Sequence, residues 1–107
     1  MDELSLTLDD IPFVAENALV QIIASEDGAT KEAVIVLPDK GEIKVLNEVG
    51  SVILELINGE RSIQEITAAV IREYDVPSDR AEADILTFLN QLRSKQLIFI
   101  RNRNLEA

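Results

Sequence analysis

The sequence predicts an α+β domain, winged helix-turn-helix-like, in which a three-stranded antiparallel sheet is followed by three helices. Three observations carry this. Before Asn47 the apolar runs are short, rich in β-branched residues and separated by turn signals. After Asn47 apolar residues recur at helical spacing. Strands and helices are segregated along the chain, which distinguishes α+β from an alternating α/β fold. With 107 residues the chain suits one domain with one modest core. Residues 1–107 are therefore expected to form a single unit, with 1–17 as a lead-in and 101–107 as a polar tail.

The lead-in, "LDDIPFVAEN", is read as extended, packing on the core through Ile11, Phe13 and Val14. "ALVQIIA" at 18–24 is the first strand, and Asp27-Gly28 marks the turn after it. "AVIVL" at 33–37 is the second. "PDKGE" holds Pro, Asp and Gly in tight-turn order, and "IKVL" at 43–46 is the third. Asn47 is a strong helix N-cap with Glu48 in the first turn. Val49, Val52, Ile53, Leu56 and Ile57 then share one helical face, and Asn58-Gly59 stops the helix. Ser62 and Glu65 have capping-box spacing for a second helix, with Ile63, Ile66, Ala69, Val70 and Tyr74 facing inward. "DVPSD" breaks the chain, and Ser78 or Asp79 is expected to cap a third helix reaching Lys95. Its core positions are Ala81, Ile85, Phe88, Leu89 and Leu92. "LIFI" at 97–100 is a closing extended run. The second and third helices, joined by a short turn, give the helix-turn-helix look.

Composition narrows the function. Ten Lys and Arg against twenty Asp and Glu give a formal charge of -10. Nucleic acid and anionic membrane surfaces both draw on cationic contacts, so both are disfavoured as partners. The chain has no cysteine and no histidine. Thiolate chemistry, disulfides, Cys or His metal sites and the commonest general base are thereby excluded. Ser62 and Ser78 read as caps before nucleophiles, the EF-hand pattern is absent, and the glycines form no phosphate-cradling loop. No enzyme activity, metal or cofactor is expected. The acidic start of the chain is unlike a secretory signal, and no apolar run is long enough to span a membrane. A cytoplasmic protein is expected.

A DNA-binding regulator is the alternative to weigh. The third helix offers Arg80, Asn90, Gln91, Arg93 and Lys95, but Asp79, Glu82 and Asp84 crowd the end that would approach phosphate. An interaction module fits better. If the third strand lies at a sheet edge, its unpaired N–H and C=O groups are a template for a peptide strand. On the third helix Leu86 lies off the core stripe with Ala83, Thr87 and Asn90; Leu86 either lines a groove or belongs to a broad buried face. Gly50, inside the first helix, marks either close packing, against the third strand for instance, or a tolerated surface glycine.

These residues resemble a known family. Leu46-Asn47, "ILEL" at 53–56, Asn58-Gly59, Ser62, Ile66, "YDV" at 74–76, Ala81, Asp84-Ile85, Phe88-Leu89, Leu92 and Leu97-Ile98 are similar to the pattern of the PqqD-like family, the RiPP recognition elements. The resemblance covers about half of the chain and is mostly structural. It implies a non-catalytic chaperone that binds the leader of a ribosomally made precursor peptide as an added strand. The chaperone presents it to a modifying enzyme, often of the radical SAM type, as in pyrroloquinoline quinone biosynthesis. On that reading Ile43, Lys44, Val45 and Leu46 form the augmented strand, and Ala83, Leu86, Thr87 and Asn90 the facing flank of the third helix. No nucleic acid or membrane partner is implied, and the protein is expected as a monomer or weak dimer. The acidic surface favours a basic or apolar leader over an acidic one.

Overall fold

The computed structural model describes residues 6–28 and 30–102. Residues 1–5 of the lead-in, Ala29 and residues 103–107 of the tail lie outside the described residues. In order the elements are β1 (Asp10–Val14), β2 (Leu19–Ala24), β3 (Lys31–Leu37), β4 (Glu42–Leu46), α1 (Glu48–Leu56), α2 (Ile63–Tyr74), α3 (Ser78–Ser94) and β5 (Ile98–Asn102). The expected three-strand meander is β2-β3-β4, antiparallel throughout, with β3 in the middle. The three expected helices follow it.

The sequence reading missed one pairing. The lead-in and the closing run are both extended, as expected, but they pair with each other as a second antiparallel sheet, β1-β5. Residues as far apart as Ile11 and Arg101 are partners, and nothing local signals a contact of that span. Arg101 and Asn102 thus belong to β5, and the polar tail starts later than expected. Ile11 and Pro12 are buried. Phe13 instead turns outward beside Phe99, ring centroids 6.1 Å apart.

Local chemistry accounts for the element ends. The Asn47 side-chain oxygen accepts the Gly50 N–H at 2.9 Å, satisfying a donor that the first turn leaves unpaired. Ser62 and Glu65 form the reciprocal capping box, at 3.2 and 2.7 Å. The third cap differs from expectation. Pro77 is the N-cap of α3 and gives no side-chain bond, while Ser78 and Asp79 already sit in the first turn. The extended Pro77 backbone sets the entry, and Asp79 accepts the Arg80 N–H at 2.9 Å. At the β3–β4 connection Gly41 adopts φ +67°, a conformation costly for any residue with a Cβ.

One core joins the layers. Ala33, Ile35 and Leu37 from β3 meet Ile53 and Leu54 of α1, Ile63, Ile66 and Val70 of α2, Ile85, Leu89 and Leu92 of α3, and Leu97-Ile98. Each fully buried aliphatic contributes about 1.5–3 kcal/mol. The buried stripe of α1 is rotated from expectation: Leu54 is buried, and Val49 is exposed. That rotation turns Val49 toward the surface groove described next.

Candidate functional site

β4 pairs with β3 on one side and has no strand on its other side among the described residues. Its residues alternate. Leu46, Lys44 and Glu42 are the partners of Ala33, Ile35 and Leu37, so they share the core-facing side of the sheet. Val45 and Ile43 oppose Val34 and Val36 on the outer side, and they are 64% and 63% exposed. The open edge therefore has free backbone polar groups in its plane, an apolar outer flank and a mixed inner flank.

α3 runs beside this edge, antiparallel to β4. At the start of β4, Lys95 Nζ lies 3.7 Å from Glu42 Oε2, and Lys40 Nζ donates to Gln96 Oε1. At the other end Gly50 lets α1, β4 and α3 converge. A Cβ placed at Gly50 would lie 3.2 Å from Leu46 Cβ and 3.2 Å from the Phe88 ring. Close packing is thus the reason for this glycine, against the third meander strand and α3 together. Ser51 beside it is fully buried, and its hydroxyl donates to the Asn47 carbonyl at 2.8 Å.

Beyond Leu46 the edge opens into a groove of about 570 Å³ between α1, the end of α2 and the start of α3. Val49, Ile53, Val70, Tyr74, Ile85 and Phe88 supply its apolar wall, with Asn47, Arg80 and Asp84 at the polar margin. The Tyr74 hydroxyl is held above the ordinary tyrosine range, first by burial, then by Glu48 and Glu73, with Lys31 pulling the other way. It stays a neutral phenol at physiological pH. Arg80 and Asp84 pair at 3.6 Å on an exposed helical turn, an arrangement that adds little stability.

The sequence-predicted residues fall as follows. Ile43, Lys44, Val45 and Leu46 all lie on the open strand, but Leu46 is a core residue. On α3 the flank turned toward α1 carries Phe88, with Asp84 one turn earlier, and Lys95 at its C-cap reaches the start of β4. At 100° per residue, Leu86 is about 160° from Phe88 around the axis. Ala83 and Asn90 lie on the far side with it, and of the four only Thr87 borders the flank that faces the edge. Leu86 is half-buried against the core. Phe88 and Gly50 are the residues that sequence reasoning under-used. A glycine inside a helix was the available signal, since it demands a close neighbour. Among the described residues no cluster of three or more carboxylates could hold a metal ion, and no helix is long and apolar enough to cross a membrane.

The family model "Coenzyme PQQ synthesis protein D (PqqD)" matches residues 32–98. The PqqA binding protein of Rhizobium meliloti (strain 1021) is 21% identical over 95 residues, covering 85% of this chain and 95% of the relative. The structure of TbiB1 in complex with the TbiA(beta) leader peptide superposes with a TM-score of 0.66 at 28% identity, over 80% of this chain and 93% of that one. The solution structure of the PqqD truncation of Methylobacterium extorquens PqqCD, a stand-alone RiPP recognition element, gives a TM-score of 0.69 at 21% identity, over 92% and 99%. The matched region holds the whole of β4, α1, α2 and α3, the elements that build the edge and the groove. This chain belongs to the PqqD family.

Proposed function

We propose that this protein is a non-catalytic recognition element that binds the leader segment of a ribosomally made precursor peptide and presents it to a modifying enzyme of the radical SAM type. The observation that carries the reading is the open edge of β4, with Phe88 of α3 and Leu46 both against Gly50 at one end and Lys95, just past α3, paired with Glu42 at the other. An extended leader adds to that edge as a fourth strand through main-chain hydrogen bonds, and flanking pockets select its side chains. Two relatives support the class of ligand: one is a PqqA binding protein, and one is solved with the TbiA(beta) leader peptide. Pyrroloquinoline quinone biosynthesis is the pathway that the family description supports. The formal charge of -10 favours a basic or apolar leader. The absence of cysteine and histidine from the sequence suits a carrier that leaves the chemistry to its partner.

The test is a ¹⁵N-labelled titration with PqqA and, separately, the TbiA(beta) leader peptide, beside a control DNA duplex. Amide shifts centred on Ile43, Lys44, Val45 and the Phe88 flank of α3, with peptide only, are expected. Strand addition should also vary little with salt, whereas DNA binding weakens steeply. Shifts with DNA alone, centred on Arg80, Asn90 and Arg93, would overturn the proposal.

A further inference from the structure

The outer face of the meander departs from the ordinary design of a two-layer sheet. An antiparallel sheet with one face on the core normally turns polar residues to water on the other. Here the register puts Leu19, Gln21 and Ile23 of β2, Glu32, Val34 and Val36 of β3, and Ile43 and Val45 of β4 on the outer face. Six of these eight are large aliphatics. Leu19, Ile43 and Val45 are each more than 60% exposed. Every helix packs on the opposite side, where Ala33, Ile35 and Leu37 are buried.

We infer that this face is a homodimer interface, two copies stacking their meander sheets outer face to outer face. Charge selects the occupant. The protein carries a formal charge of -10, yet within this face Glu32 is the one ionised side chain. In an isologous pair each charge near the two-fold axis meets its own copy. A strongly acidic protein pairs with itself at least electrostatic cost through a face almost free of charge, and this is such a face. A cationic hetero-partner would instead be recognised by carboxylates, which lie elsewhere.

The area agrees. The face exposes on the order of 400–500 Å² of apolar surface, the size of a largest patch that is often functional. Two copies would bury about 1,000 Å² in all, the lower limit of a specific interface. An interface at that limit makes a weak, reversible dimer. Sheets packed face to face sit about 10 Å apart. The free N–H and C=O groups of β4 lie in the sheet plane, so such a dimer leaves the edge open to a peptide.

Sedimentation equilibrium across a wide concentration range tests this without any ligand. A concentration-dependent dimer is expected, weakened at least tenfold by Leu19→Glu and by Ile23→Glu. Arg72→Glu, exposed on α2 away from both the face and the groove, should leave it unchanged. Because the chain has no cysteine, Gln21→Cys gives a second readout that needs no destabilising charge. Mild oxidation should trap a disulfide-linked dimer from Gln21→Cys, and should not from Arg72→Cys on α2. A chain that stays monomeric near millimolar concentration would overturn the inference. So would a dimer that tolerates both glutamates and does not cross-link through position 21, since it would then use another surface.

Discussion

The two sheets of this protein use extended backbone for opposite ends. β1-β5 is a clasp. Its strands come from the two ends of the described chain, it buries Ile11, Pro12 and Ile98, and Arg101 donates from β5 to the Gly59 carbonyl at 2.8 Å. The Ala15 N–H donates to the Leu97 carbonyl, extending the pairing by one residue, and the Gln64 N–H of α2 donates to the Leu8 carbonyl just before β1, both at 2.9 Å. The β2-β3-β4 meander spends only one face on the core, leaving both edges and an outer face without a further strand among the described residues. The first sheet closes the two ends of the described chain onto the core, while the second buries one face and keeps backbone and apolar surface open. Substitutions in the clasp should therefore change folding and spare binding, and substitutions at the β4 border should do the reverse.

The largest effect belongs to the clasp. Ile98 is fully buried in β5, and Ile98→Ala removes its packing and leaves a cavity. A loss of about 2–5 kcal/mol is expected, read as a lower urea midpoint at unchanged m-value. The peptide footprint on β4 should persist in the fraction that stays folded. A footprint that vanished with the clasp intact would break the separation of roles.

Gly50 tests the junction where stability and recognition meet. Gly50→Ala gains roughly 1 kcal/mol of helix propensity, offset by its contacts with Leu46 and Phe88. The Phe88 ring end can swing outward, but Leu46 Cβ moves only with its backbone, so the net should be close to zero. Gly50→Val cannot be accommodated so simply and should cost about 1–3 kcal/mol by overpacking. Thermal unfolding of the two variants separates propensity from packing. A neutral Gly50→Val would mean that the three elements do not converge as tightly as the geometry has them.

This difference also marks what was legible in the sequence. Helix starts were legible wherever a side chain itself makes the cap, as Asn47 and Ser62-Glu65 do. The α3 start was misread because Pro77 acts through its backbone alone. The meander was legible from its turns, whereas the β1-β5 pairing was not: its strands are short, distant and, in β1, interrupted by Pro12. "AVIVL" reads as a continuous apolar run, the pattern of a strand buried on both faces. Its Val34 and Val36 nevertheless face outward. The strand half of the candidate site followed from sequence order. The helix half depended on the sense of rotation from the α3 core stripe, legible at Ala81, Ile85, Leu89 and Leu92, to the flank near β4, and periodicity alone does not give that sense.

That rotation gives the third prediction. If Phe88 faces the bound strand, Phe88→Ala should weaken leader binding about tenfold, equal to about 1.4 kcal/mol. Asn90→Ala and Ala83→Ser, on the far side of α3, should change affinity less than twofold. Isothermal titration with PqqA measures all three. The opposite ranking would place the recognising flank where Ala83, Leu86 and Asn90 lie.

The smallest effect concerns the other end of the same border. Lys95 and Glu42 are paired at 3.7 Å and both are partly exposed, so each single alanine variant should shift stability by no more than about 1 kcal/mol. Because they join α3 to the start of β4, the informative quantity is their coupling. A double-mutant cycle should give about 0.2–1 kcal/mol, shrinking as salt rises. A coupling well above that range, insensitive to salt, would mean that the α3–β4 spacing is held rigidly and that the leader meets a preformed slot. The expected small value means instead that packing at Gly50 sets the spacing, with the Lys95 end free to open and close around a peptide strand.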